Sequence, residues 1–541
     1  MAKVHDLLDH VKVLTGRRQP WMPYWQQLAD VLLPTQADFV TQQTPGTQRG
    51  AEIYDGTPRL ALRELATTID GLIKPKTSAW FDVETEDQDL NELEEVKLWL
   101  EMVKDRMWHH LYKKDARFIQ RSCEVDLSLV CFGWGTLWVQ ENKLKNGLLF
   151  RSFHNSQVAI DENDEGIIDK ICIEEMLTSR QMAMIYQDRK MEIPSKIKDQ
   201  MAKTSSDKKF KLVKLVMPRD DYDPKLKLSK RGMPFYDALI DVESEMIIEE
   251  GGYMEFPAAV PRWETSPGEI YTRSPGAMAL PDAKTLQAMG KTLLIGGQRA
   301  VDPPIWVQND SVVSPLRTFP GGITVIDASD IGNQSPVGAF PVATNLPIGR
   351  DMQADYRAMV EAAFFKNVFR IPIETHQMTA TEIVARKEEF IRTIGPVFGR
   401  LETDYIGHTV ERVFNIMDRA NAFPERPDSL QDVKVTFKFQ SPIQQARKQM
   451  EIASLSQSLT LLAPIAEVQP EIMDNFNGDE IARDAPEWGG LPNRWLRNKK
   501  EVEGMRAQRA QGQGAQQTLA ASGPITDAIK NVAQAESLMM P

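Results

Sequence analysis

The chain has 541 residues, 42% hydrophobic and 26% charged. That balance excludes a disordered polymer and leaves room for several cores. Its 64 basic and 76 acidic side chains leave a formal charge of −12, which excludes a surface built to grip nucleic acid statically, because such grip needs dense Lys and Arg.

Residues 1–130 read as mostly helical. Leu7, Leu8, Val11 and Leu14 repeat at helix spacing, as do Trp21, Trp25, Leu28 and Leu32. Pro20 suits a first helical position and Pro34 a stop. Asp55-Gly56 makes a turn, with Thr57 as an expected N-cap and Pro58 as N1 of a helix toward Ile73. Val96, Leu100, Val103, Met107 and Leu111 form a further stripe, and a helix over about 116–131 ends at Phe132-Gly133. From Gly135 to Trp263 the period becomes two. Strands are expected at 136–139, 148–153, 167–173, 210–216 and 238–249, with a helix over 178–186 capped by Thr178. Residues 198–209 are charged and read as an exposed loop or hairpin tip.

Residues 275–395 carry the most informative order. A helix (about 277–300) runs into Asp302-Pro303-Pro304, and an extended insert broken by Pro and Gly follows, ending near Pro347. A second helix (about 348–366) leads to a loop, Asn367–Met378, and to a capping box at Thr379-Ala380-Thr381-Glu382. Two helices bracketing a small insert make a stalk with a knob. Beyond it, 379–420 reads as helix, 432–439 as strand and 442–462 as helix. After Arg506 the chain is rich in Ala, Gln and Gly.

Motifs for catalysis or ligands are missing. Gly290-Lys291-Thr292 imitates a phosphate loop, but the required earlier glycine is Thr285 and the segment sits inside a helix. Gly133-Trp134-Gly135 begins a dinucleotide fingerprint that fails at Trp138. Asp161–Gly166 looks like half a calcium loop, yet strands flank it and Cys172 stands where a Glu is needed. The seven histidines are scattered, and His109-His110 are expected to splay from a helix. The three cysteines, Cys123, Cys131 and Cys172, are too few for a disulfide framework and suggest a reducing compartment; Cys123 and Cys131 read as buried small hydrophobes. The N-terminus lacks a signal-peptide core, and no run of about 18 apolar residues could span a membrane. No catalytic residue, cofactor or metal site is expected, so the chain is not expected to be an enzyme.

Several stretches together resemble the portal, or head-to-tail connector, proteins of short-tailed bacteriophages (the podovirus type). They are Arg17–Pro34, Cys131–Thr136, Tyr271–Gln287 and Phe364–Ile383. Trp134 stands where the family commonly has a smaller residue. The resemblance spans most of 1–500 and leaves the tail uncovered.

The resemblance implies an α+β portal fold and a ring-forming subunit. Residues 1–274 would be the wing, helical over 1–132 and β-rich over 133–274. Residues 275–302 would be stem helix 1, 303–342 a small α/β clip, 343–366 stem helix 2 and 367–378 the tunnel loop. Residues 379–440 would add a wing helix and strand, 441–500 the helical crown and 501–541 the tail. It implies a dodecameric ring at one capsid vertex in the virion, assembled in the host cytoplasm, through which double-stranded DNA passes non-specifically during packaging and ejection. The implied partners are a terminase motor, tail adaptor and tail proteins, and the major capsid and scaffolding proteins.

In the tunnel loop and beside it, Lys366, Phe369, Arg370 and His376 are expected to meet DNA. In the clip, Trp306, Arg317, Ile323 and Ile326 are expected to dock partners, or to pair across subunits by strand addition. Gly290, Gly296, Gly297 and Ala300 are expected to let neighbouring stems approach, with a kink at Gly296-Gly297 left open. The competing readings are a DNA-packaging ATPase or nuclease, which lacks its motifs here, and a monomeric virion adaptor or scaffold.

Overall fold

The computed structural model describes residues 2–366 except 42–43, 45, 77–78, 92, 204–207, 227–228, 310–313, 328–336 and 341–345. It also describes 395–439 except 396 and 432, and parts of 454–509. Two compact units emerge, one of Met1–Phe81 with Arg106–Ala422 and one of Asp82–Asp105 with Phe423–Pro541.

Helix α1 (Ala2–Arg18) forms because Val4, Leu7, Val11 and Leu14 share one face, and that face is buried. A 3-10 turn at Gln19–Trp21 contains Pro20, and α2 (Met22–Leu32) then stops before Pro34. Helix α3 (Thr57–Ile73) begins at Thr57 itself. Its N-cap is Gly56, which has no side chain to cap with, so the expected Thr57 cap is not made, and Asp55 Oδ1 accepts from Thr57 N–H at 2.9 Å.

Strand β1 (Phe81–Thr85), a short α4 (Gln88–Asn91), α5 (Glu94–Tyr112) and α6 (Phe118–Phe132) follow. Helix α6 ends because Gly133 takes φ 93°, open to glycine at no steric cost.

Strands β2 (Leu137–Glu141) and β3 (Leu148–Ser152) form a three-stranded sheet, completed later by β9 (Ala258–Ala259) beside β2. Strands β4 (Val158–Glu162) and β5 (Ile168–Thr178) open a five-stranded antiparallel meander. Its other members are β6 (Lys209–Pro218), β7 (Phe235–Asp241) and β8 (Met246–Tyr253). Between β5 and β6 lie α7 (Ser179–Asp188), capped by Thr178 as expected, and α8 (Ser195–Met201). Alternation along β6 sends Val213 and Leu215 against α1 on one face and Phe210 and Leu212 against α7 and α8 on the other.

Three expectations change here. The single strand over 238–249 is a hairpin of β7 and β8. The stretch 198–209 is not one loop, since α8 and the start of β6 occupy part of it. Strand β4 was not anticipated.

Strands β10 (Glu264–Ser266) and β11 (Glu269–Arg273) pair and lead into α9 (Pro275–Val301). Next come β12 (Ile305–Gln308), β13 (Ile323–Ile326) and β14 (Val337–Ala339), then α10 (Leu346–Ala363). Residues 397–401 are helical, 402–407 form a π turn, and α11 (His408–Arg419) continues from it. In the second unit, β15 (Val435–Phe439) pairs with β1. There Trp99 Nε1 donates to Pro424 O at 3.2 Å, and Arg426 lies over the Trp99 ring. The expected capping box at Thr379 and most of the helix over 442–462 lie outside the described residues. Helices and mainly antiparallel strands follow one another in blocks, an α+β arrangement.

Candidate functional site

The stalk expected from the sequence is a helical hairpin. Ser274 starts α9: its Oγ accepts from Ala277 N–H at 3.0 Å and donates to Cys131 O at 2.7 Å. At 27 residues α9 is about 40 Å long, and the 18-residue α10 about 27 Å. Gly290-Lys291-Thr292 lies within α9, so its backbone amides are spent on the helix and no phosphate cradle exists. Helix α9 runs unbroken through Gly296-Gly297.

Two of the glycines expected to face a neighbour, Gly290 and Gly296, pack within the chain, while Gly297 meets nothing within 4 Å. A Cβ on Gly290 would stand 3.0 Å from Tyr54 Cβ, one on Gly296 3.4 Å from Leu346, and one on Gly349 2.6 Å from Leu293.

Asp55 ties α9 and α10 to the loop before α3. Gln287 of α9 accepts from the Tyr54 and Asp55 amides at 2.7 and 2.9 Å and donates to Asp55 O at 2.7 Å. From α10, Arg357 Nε and Gln353 Nε2 donate to Asp55 Oδ2 at 2.9 and 3.2 Å. Asp55 is 5% exposed. Burial opposes its charge, but hydrogen bonds from Thr57 and the Arg357 guanidinium hold its carboxyl below the usual range. No sequence motif marks this node beyond the Asp-Gly turn.

Beneath the start of α9 lies an aromatic cluster. Trp134 is fully buried, 5.1 Å from Tyr271 and 5.6 Å from Trp25 between ring centroids. Its size fills this pocket, which explains a large residue at that position. Gly133 admits no side chain, since a Cβ would meet Thr272 O at 2.4 Å.

At the hairpin tip, β13-β12-β14 make one small sheet, parallel between β12 and β13 and antiparallel between β12 and β14. Trp306, Ile323 and Ile326 are brought together on it. The Trp306 ring covers Gly338, where a Cβ would stand 2.3 Å from the indole. Arg317 is exposed on the preceding loop, and its amide donates to Thr324 Oγ1 at 3.0 Å. Ser314 already bonds both Val325 N–H and Val325 C=O, so β13 cannot add a strand there without displacing it. Leu316, Phe319, Ile323 and Val337 are exposed apolar residues of this knob. An open groove of about 740 Å³, lined by Leu294, Gly297, Val301 and Pro320 among others, separates it from α9.

Of the four expected DNA-facing residues, Phe369, Arg370 and His376 lie outside the described residues. Lys366 is not a free cation. Its side chain is 15% exposed, with Nζ 2.7 Å from Glu361 Oε1 and 3.5 Å from Glu64 Oε2. Just before it, Phe365 takes φ 57° and ends α10 against Trp263. That conformation is unusual for a bulky residue.

A buried ion pair sits under the π turn. Lys74 Nζ lies 2.6 Å from Asp126 Oδ2 and 3.1 Å from the Tyr405 hydroxyl, all three enclosed. Burial pushes the Asp126 carboxyl up to about 6, with Lys74 pulling the other way.

The false motifs resolve physically. Asp161 pairs with Arg17, Glu162 accepts from Arg262 at 2.7 Å, and Arg262 also donates to Gly166 O at 2.6 Å. The acidic turn is thus filled by guanidinium groups, and no group of ligating side chains that could hold a metal occurs among the described residues. His109 and His110 meet edge-on at 5.9 Å rather than splaying fully. Cys131 and Cys172 are buried, while Cys123 is half-buried. No helix among the described residues is long and apolar enough to cross a membrane.

Sequence comparisons agree over nearly the whole length. The family profile described as bacteriophage head to tail connecting protein matches residues 4–496. A portal protein of Salmonella phage epsilon15 is 26% identical over 540 residues, covering 98% of this chain and 95% of that one. A probable portal protein of Bordetella phage BPP-1 is 27% identical over 521 residues, covering 94% and 92%.

Proposed function

Since the chain belongs to the bacteriophage head to tail connecting proteins, we propose that it forms the portal ring of a short-tailed phage, at the capsid vertex of the virion, as the conduit for DNA packaging and ejection and the hub on which other components dock. The observation that carries this reading is the α9–insert–α10 hairpin, anchored at Asp55 and tipped by the β12–β14 sheet.

In this reading, residues 1–274 and 379–440 are the wing, 275–302 and 343–366 the stem, 303–342 the clip, 367–378 the tunnel loop and 441–500 the crown. The ring is dodecameric and assembles in the host cytoplasm. Its chemistry is passive. An acidic chain of net charge −12 offers phosphates few sites at which to release counterions, so DNA slides. Phe369, Arg370 and His376 make the transient contacts, and Lys366, held by Glu361 and Glu64, anchors the loop that carries them. The clip, through Trp306, Arg317, Ile323 and Ile326, takes the terminase motor and later the tail adaptor and tail proteins. The major capsid and scaffolding proteins meet the wing.

The test is the substitution Phe369→Ala with Arg370→Ala. Rings should assemble normally while packaged or retained DNA falls. Normal packaging and retention would remove the tunnel-loop role, and ATP hydrolysis by the purified chain alone would replace the conduit with a motor.

A further inference from the structure

The stem hairpin exposes two stripes on opposite sides, and neither holds an ion pair among the described residues. On α10, Gly349, Gln353, Arg357 and buried Val360 face the rest of the chain. Their spacing of three and four residues defines one helix face. The opposite face carries Ile348, Asp351, Asp355, Ala358 and Ala362, all exposed. Ile348 is 60% exposed and is flanked by Met352 and Met359, each at least half exposed. Asp351 and Asp355 make no ion pair among the described residues.

On α9, Ala283, Leu286 and Gly290 are buried and Leu293 and Gly296 touch α10. The face turned away carries Lys284, Ala288, Lys291, Ile295 and Gln298, all exposed. Lys284 bonds only Gln27, and Lys291 reaches over the Tyr54 ring. Neither has a carboxylate partner among the described residues.

The register inside one hairpin fixes levels along it. Gly349 lies beside Leu293, Leu346 beside Gly296 and Gln353 beside Gly290. The same antiparallel register sets Ile348 level with Leu294 and Ile295, sets Asp351 level with Lys291 with Asp355 about one turn further on, and sets Met359 close to the Lys284 level. In a ring whose axis runs along the hairpin, a neighbouring copy keeps these levels unchanged. Isoleucine then meets isoleucine, the Asp351 carboxylate meets the Lys291 ammonium with Asp355 one turn on, and Ala288, Ala358 and Ala362 allow close helix approach.

We infer that the outward stripe of α10 seats on the outward stripe of α9 in a second copy of this chain. The contact is heterologous, one surface against a different one, which is the kind that closes rings. The charges set register and exclude wrong pairings, and the isoleucines and methionines supply the apolar area. This inference rests on the ring reading above.

Two experiments test it on the full-length chain. Lys291→Glu should weaken ring assembly at least about tenfold in sedimentation velocity, as should Asp351→Lys with Asp355→Lys, because like charges then face each other. The triple variant, with the charges exchanged, should recover assembly. Separately, Ile295→Cys with Ile348→Cys should give a ladder of cross-linked oligomers under mild oxidation, and either change alone should give none, since the two positions face apart within one chain. Rings that tolerate both charge reversals, a triple variant that fails to recover, or cross-links confined to monomers while unmutated rings form, would each overturn the stripe assignment and leave the ring reading intact. An unmutated chain that forms no rings would remove both.

Discussion

Asp55 holds a full charge in a place where burial opposes it, because Thr57 and Arg357 together outweigh the lost solvation. A carboxyl held low in the folded state adds stability above its unfolded value near about 4, and that stability is lost as pH falls through the lower folded value. Asp55→Ala removes the acceptor shared by Gln353 and Arg357 and is expected to cost about 1–3 kcal/mol, read by chemical denaturation. Amide exchange should speed up in α9 and α10 before it does in the β4–β8 sheet. Asp126 has the opposite sign. Its carboxyl is pushed up to about 6 by burial, so the folded chain binds that proton more tightly than the unfolded chain does. Its contribution is therefore largest below about 4 and declines as pH rises to about 6. Asp126→Asn should erase that slope, whereas Lys74→Met alone should cost about 3–5 kcal/mol at neutral pH, because the enclosed Asp126 carboxylate then loses the cation 2.6 Å away. Lys74→Met together with Asp126→Leu should restore most of the loss, which a double-mutant cycle measures.

Among the elements, the hairpin was legible before any coordinates, and its fine anchoring was not. Ser274-Pro275 is a strong start signal and Asp302-Pro303-Pro304 a strong stop, so α9 could be placed to within two residues. Gln287, Gln353 and Arg357 are ordinary helix-surface residues in sequence. Only the fold brings them to one carboxylate, and no local pattern announces that. The β7–β8 hairpin was missed because Val242-Glu243-Ser244-Glu245 has no Gly, Pro or Asn. Its turn is held instead by Asp241 Oδ1, which accepts from the Glu243 and Ser244 amides, with Glu245 at φ 49°. Strand β4 hid between turn residues, and α8 hid in a charged stretch. The β12–β14 sheet gives an element-scale prediction. Gly338→Val drives a side chain into the Trp306 indole, so it should destabilise the knob by about 1–3 kcal/mol. Limited proteolysis should then cut within 303–340 while ring assembly persists, and intact resistance to protease would show that the indole is free to move.

For the whole molecule, the family match ends at residue 496, whereas the alignment with the epsilon15 portal protein covers 98% of the chain and so takes in part of the Ala- and Gln-rich segment beyond Arg506. Deletion of 511–541 should leave rings of unchanged size in electron micrographs, and lost rings would make the tail an assembly element. The last consequence concerns the point where the chain leaves α6 and comes back to α9. Thr272 Oγ1 donates to Gly133 O at 2.6 Å, Trp263 N–H donates to the same oxygen at 2.7 Å, and Ser274 donates to Cys131 O. About 130 residues, including both β-sheets from β2 to β9, thus depart from and return to a single spot. To the helices on either side, that whole excursion is topologically a loop. Insertions at its exposed turns, such as Asn142–Gly147, are therefore expected to leave the start of α9 where it is, whereas the sheet face that packs on α1 is fixed by that shared core.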